Sequence, residues 1–137
     1  MDRMRDQAES FGASIEYLTE WTQERMERED LKLVVCHLGG SGSICAVKNG
    51  KSLDTSLGLT LQCGTMHNNR CGDIDPAIVL NVMDNHNLST KEMDTLMNKK
   101  SGVLGISGVS SDFRDLGQAA AEGNERARLA LDMFRSE

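Results

Sequence analysis

The chain has 137 residues, 39% of them apolar, 26% charged and 4% aromatic, with a formal charge of −6; this fits one soluble domain or part of a larger one. No run approaches the roughly 18 consecutive apolar residues of a membrane helix, and the polar N-terminus MDRMRDQAES does not read as a secretory leader, so the sequence points to the cytoplasm. Residues 1–30 carry nine acidic and four basic side chains and the remaining 107 carry twelve and eleven, which leaves no basic stripe and argues against a nucleic-acid surface.

From Met1 to about Arg28, Met4, Phe11, Ile15 and Leu18 fall at helical offsets, predicting one or two amphipathic helices with a solvated charged face. The boundary lies near residue 30: residues 1–30 form a helical N-terminal segment and 31–137 the body. LKLVVCHL, starting at Leu31, reads as a strand buried on both faces, and SICAVKNGKSLDT places Asn49-Gly50 between two extended runs, the signature of a type I′ hairpin. Seven of the 13 glycines lie between Gly39 and Gly72, a stretch of tight turns and exposed amides. The cysteines Cys36, Cys45, Cys63 and Cys71 show no CxxC spacing and read as free, buried thiols.

Helices follow. Asp75-Pro76 supplies an N-cap and a first-turn proline ahead of Ile78, Val79, Val82 and Met83, with Ile74 before them. Ser89 and Glu92 form a capping box opening a helix that turns Met93, Leu96 and Met97 inward. Gly102, Gly105 and Gly108 predict a loop, Ser111 or Asp112 caps the next helix, and a last helix from about Asn124 carries Ala127, Ala130, Leu131 and Phe134 on one face.

Three clusters can carry chemistry. HLGGSGS after a strand offers free N–H groups and hydroxyls, which suit phosphate oxygens and equally suit an ordinary turn. His37, at the end of the strand, reads in isolation as a satisfied core histidine. HNNRCGDIDP, residues 67–76, presents Arg70 in a glycine-bounded loop, shaped either to clamp phosphate or to join a surface ion pair; Asp75 is explained as a cap and Asp73 as a loop brace. His67 and His86 stand alone, and no zinc spacing, GxxxxGK loop or nucleophile elbow is present. The third cluster is NKKSGVLGISG followed by SSDFRD.

Together and in this order, the clusters resemble the acetate kinase family. HLGGSGSICAVKNGKSLDTSLGLT, CGDIDPAI and NKKSGVLGISGVSSDFRDL followed by AAAEGNERARLALDMF are similar to that family's motifs over about Leu31 to Phe134. The resemblance implies an α/β fold, part of the actin-like ATPase, sugar kinase and acetate kinase superfamily, with a mixed sheet and glycine-rich hairpins followed by helices; residues 31–137 would be part of its nucleotide-binding domain. It implies a reversible transfer of phosphate from ATP to a short carboxylate, giving an acyl phosphate and ADP with Mg2+, and nucleotide and small carboxylate as partners. By the same resemblance His37, Leu38, Gly39, Gly40 and Ser41 form a phosphate-binding turn, Asp112, Phe113 and Arg114 contact nucleotide, and Arg70 stabilises the phosphoryl group in flight.

The departures are specific. His67-Asn68-Asn69 stands where the family commonly has MGT, as in some divergent members, and Cys71 replaces a usual serine. The family's FHGxSH-type motif corresponds to Ser10-Phe11-Gly12-Ala13-Ser14-Ile15 without its histidines. Metal ligands, the carboxylate site and the adenosine loop are expected outside this chain. One expectation is therefore an incomplete acetate kinase-type enzyme with little activity of its own; the alternative is a noncatalytic truncated remnant that binds a phosphate ligand or a homologous chain. An exposed apolar patch, favouring a homodimer or association, is expected in either case.

Overall fold

The computed structural model describes residues 17–40 and 42–136. The expected helical stripe of Met4, Phe11 and Ile15, the stretch Ser10–Ile15 and the candidate Ser41 lie outside the described residues. The chain divides into two compact units, one formed by the stretch up to His37 with Ser43–Ser56, the other by Leu38–Gly42 with the stretch from Leu57 onward.

In the first unit, residues 17–26 form helix α1; Thr19 is its buried position, while Leu18 is exposed. Strands β1 (Lys32–Leu38), β2 (Gly42–Lys48) and β3 (Lys51–Thr55) form a sheet in the order β1-β2-β3. β2 and β3 are antiparallel, with a register irregularity between Ala46 and Val47. Their turn is the expected one: Asn49 and Gly50 both have positive φ, 49° and 75°, as a type I′ turn requires. Cys45 and Val47 are buried against Leu33 and Val35. The prediction that β1 is buried on both faces is corrected. Val34 is 70% exposed and Leu38 68%, because only alternate residues of β1 meet the small core and nothing among the described residues covers the other face. His37 is exposed rather than a core histidine. All four cysteines are free as expected, but only Cys45 is buried; Cys36 is exposed, and Cys63 and Cys71 are half-buried.

The second unit is helical. α2 (Pro76–His86) starts on Asp75, whose side chain accepts from the Ala77 amide. α3 (Thr90–Lys99) has the complete capping box, with the Ser89 hydroxyl accepting from the Glu92 amide and Glu92 accepting from the Ser89 amide. The expected glycine loop is instead a short helix, α4 (Gly102–Ser107), closed by left-handed Gly108. The burial of Val103 and Ser107 and the close backbone seat of Gly102 favour helix where the glycines alone predict a loop. α5 (Phe113–Ala121) is capped by Asp112, and α6 (Glu125–Ser136) follows Asn124, whose side chain accepts from the Ala127 amide.

The core of this unit is Met66, Val103, Leu116, Ala127 and Ala130, flanked by Ile106, Phe113, Leu131 and Phe134. The alanines let α6 lie close against its neighbours, and the Phe113 and Phe134 rings meet at 4.6 Å in a tilted pair. α2 has no buried residue; Ile74, Ile78 and Leu80 are exposed on or beside it. No helix among the described residues is long and apolar enough to cross a membrane.

Candidate functional site

The loop carrying Arg70 is fixed by backbone. Residues 67–69 turn their carbonyls toward the start of α4: the amides of Ser101, Val103 and Leu104 donate to the carbonyls of Asn69, His67 and Asn68 at 2.9–3.0 Å. The unsatisfied amides that every helix start presents are met here by loop carbonyls rather than by side-chain caps. Gly102, with φ 60°, makes the approach possible, since a Cβ there would lie 2.2 Å from the His67 carbonyl oxygen and 2.8 Å from that of Arg70. On the far side, the Cys71 amide donates to the Met97 carbonyl at 2.9 Å. Asp73 braces the loop as expected, accepting from the Gly64 amide at 2.9 Å.

The turn at Leu38–Gly40 and the turn at Ser111–Phe113 face each other across an open depression of about 300 Å³, whose lining also includes Asn68. A Cβ on Gly40 would stand 3.8 Å from Asn68 Nδ2. Leu38, Gly39, Gly40, Asp112 and Phe113, all predicted site residues, are thus brought together. Arg70 is half-buried two residues beyond Asn68 and is not among the residues lining this depression. His37 belongs to the other compact unit.

Asp112 has a structural task. Its carboxylate accepts from the Arg114 amide at 2.8 Å and from the Arg114 guanidinium at 3.1 Å (Nε) and 2.6 Å (Nη2). These bonds, the guanidinium's first, hold the carboxyl at about 2, below its ordinary value, and push the Arg114 pKa upward in return. The Arg114 side chain is otherwise exposed. Phe113 points the other way, into the helical core. Ser110 completes the turn, accepting from the Asp112 amide and donating to Asp115.

Two residues that the sequence marks only as departures from the family's motif are held here by contacts distant in sequence. His67, read as a lone histidine, is 1% exposed and bonded at both ring nitrogens. Asn68 donates from Nδ2 to the Ser111 carbonyl at 2.7 Å. The available signal was their position: two polar side chains where the resembling family has methionine and glycine.

No group of three or more His, Cys, Asp or Glu side chains suited to a metal ion occurs among the described residues. Asp112, the acid nearest the depression, is committed to Arg114. The side chains around the depression do not, among the described residues, assemble a magnesium site.

A family model described as the Acetokinase family matches residues 7–137, and the chain belongs to that family. It is 55% identical over 125 residues to an acetate kinase of Caldicellulosiruptor saccharolyticus, covering 90% of this chain and 31% of that protein. To an acetate kinase of Methanosarcina barkeri it is 62% identical over 106 residues, covering 77% and 26%. Among solved structures it superposes on Porphyromonas gingivalis acetate kinase with a TM-score of 0.80 at 42% identity, over 85% of this chain and 30% of that one. A propionate kinase from Francisella tularensis gives 0.79 at 40% identity, over 87% and 31%. The chain spans about a third or less of the length of the relatives it matches. The α/β fold is that of the corresponding part of these kinases.

Proposed function

We propose that this chain supplies one wall of the phosphoryl-transfer site of an acetate kinase-type carboxylate phosphotransferase, which moves phosphate reversibly between ATP and a short carboxylate. The observation that carries the reading is the depression between the glycine turn at Leu38–Gly40 and the Ser111–Phe113 turn, in a chain of the Acetokinase family. Glycines let backbone amides approach a phosphate closely. On the family's pattern His37 and Ser41 are assigned with Leu38, Gly39 and Gly40 to phosphate, and Asp112, Phe113 and Arg114 to nucleotide. Arg70 is assigned to the phosphoryl group itself: a loose transition state spreads charge over three equatorial oxygens, and a guanidinium meets it with a rigid fork of donors. Magnesium carried with the nucleotide would neutralise phosphate charge there, and no ligand to it is assigned among the described residues. The setting is cytoplasmic.

A second reading, a noncatalytic chain that associates with a homologous copy, is favoured by the exposed apolar side chains of α2 and β1, Leu80 being 69% exposed. Calorimetric titration with Mg-ADP, paired with Arg114→Ala and His37→Ala, separates the two. Binding that both substitutions weaken supports the kinase wall. A folded chain with no affinity for Mg-ADP rejects it, and self-association in light scattering then supports the second.

A further inference from the structure

His67 and Asn68 adjoin in sequence and reach in different directions. The His67 ring is buried, with Nδ1 3.1 Å from the Gly42 amide nitrogen and Nε2 3.3 Å from the Cys63 carbonyl. A backbone N–H can only donate, so Nδ1 is the acceptor and the ring proton lies on Nε2, directed at Cys63. Asn68 Nδ2 donates to the Ser111 carbonyl at 2.7 Å and lies against Gly40. The backbone carbonyls of the same two residues accept from the Val103 and Leu104 amides at the start of α4. Two consecutive residues of the loop that leads to Arg70 thus tie that loop to three segments of one compact unit: Gly42 at the start of β2, the Ser111–Phe113 turn, and the start of α4.

Each side-chain tie uses a group that a glycine or methionine lacks. Gly42, the first residue of β2, has its amide committed to His67, so that amide is not left for an anion. The carbonyl of Ser111 is committed to Asn68, which sets the orientation of the peptide leading into Asp112.

We propose that His67 and Asn68 are positioning residues, a side-chain clasp that sets the glycine turn and the Ser111–Phe113 turn at a fixed separation around the anion-binding depression. The clasp rests on the phosphate-binding reading of that depression, and its test keeps the two apart.

The 137-residue chain is examined as isotopically labelled protein. Nitrogen-15 spectra of the His67 ring are expected to show the Nε2–H tautomer. His67→Met, which keeps volume but removes both bonds, is expected to raise Gly42 amide hydrogen exchange about three- to ten-fold, the value of one neutral hydrogen bond. His67→Asn, which restores an acceptor near the Nδ1 position, recovers part of that protection. Asn68→Ala is expected to move the Asp112 amide nitrogen resonance, because that nitrogen shares a peptide with the Ser111 carbonyl. Both His67→Met and Asn68→Ala weaken Mg-ADP binding by about three- to ten-fold at temperatures where circular dichroism shows each variant folded.

An Nδ1–H tautomer, or folded variants with unchanged Gly42 exchange and unchanged Mg-ADP affinity, overturns the clasp. Lowered melting temperature with unchanged affinity overturns it too, since that is what packing alone would produce. If the unsubstituted chain binds no Mg-ADP, the functional reading fails separately, and the tautomer, the Gly42 exchange and the Asp112 resonance decide the clasp.

Discussion

Gly102 is the position where a single methyl group has the most to disturb. A Cβ there would meet only backbone, at 2.2 Å from the His67 oxygen, 2.8 Å from the Arg70 oxygen and 3.0 Å from the Asn68 carbonyl carbon, and φ is 60°. The left-handed conformation costs a non-glycine residue about 1–2 kcal/mol. Relieving the overlap requires α4 and the 67–70 loop to part, an overpacking cost of about 1–3 kcal/mol. Gly102→Ala is therefore expected to lose about 2–5 kcal/mol in urea unfolding. Two neighbouring glycines separate the contributions. Gly123 has φ 96° and open space around its Cβ position, so Gly123→Ala is expected to cost only the conformational part, about 1–2 kcal/mol. Gly117 lies inside α5 with no atom within 4 Å of its Cβ position, so Gly117→Ala is expected to stabilise by about 0.5–1 kcal/mol. A Gly102→Ala loss no larger than that of Gly123→Ala would refute the close seating of the loop on α4.

Ser89→Ala removes the hydroxyl half of the capping box that opens α3, leaving the bond from the residue 89 amide to Glu92, and is expected to cost about 1 kcal/mol, read by chemical unfolding. The Asp112 carboxyl, held at about 2 by Arg114, contributes its cap and ion pair at pH above the ordinary carboxylate value near 3.8. That contribution is lost as pH falls from about 4 through about 2. Carboxyl carbon-13 titration is expected to show the low midpoint, and Arg114→Ala is expected to raise it; an unmoved midpoint would contradict the assigned cause. Burial pushes the Cys71 thiol above its ordinary value, so iodoacetamide at pH 8 is expected to modify exposed Cys36 before Cys71, as mass spectrometry of timed samples would show.

What was legible in the sequence was local. Asp75-Pro76, Ser89 with Glu92, and Asn49-Gly50 each solve a problem inside four residues, unpaired helix amides or positive φ, and each appears in the structure as read. The apolar faces of α6 were legible for the same reason, since Ala127 and Ala130 repeat at helical spacing. What could not be read depends on contacts distant in sequence. Gly102 reads as a loop glycine until the 67–70 carbonyls are placed against it. His67 gives no sign in its own neighbourhood that its partners are the amide of Gly42 and the carbonyl of Cys63. The burial of β1 was overread because an apolar run records what a strand tolerates, not what covers it. Of the candidate site, the glycine turn and Asp112–Phe113 were legible as motifs; the tie from Asn68 to Ser111 was not, being 43 residues long in sequence.

The two compact units differ in how much core each carries, and this bears on which of the candidate residues are held firmly. Phe113 lines the depression and also packs into the core of Val103, Leu116, Ala127 and Ala130, so that wall of the site cannot shift without disturbing a packed interior. His37 sits in a unit whose apolar cluster, among the described residues, is Cys45 and Val47 with half-buried Leu33 and Val35. Leu116→Ala is accordingly expected to cost about 2–5 kcal/mol, because Leu116 is fully buried and alanine leaves a cavity among neighbours already in contact. Native-state hydrogen exchange is expected to find the slowest amides at Val103, Leu116 and Ala130, with β3, exposed along its whole length, exchanging faster through local opening. If the strand amides instead exchange as slowly as those of α5, the sheet draws stability from more than its own small core, and His37 is held as firmly as Phe113.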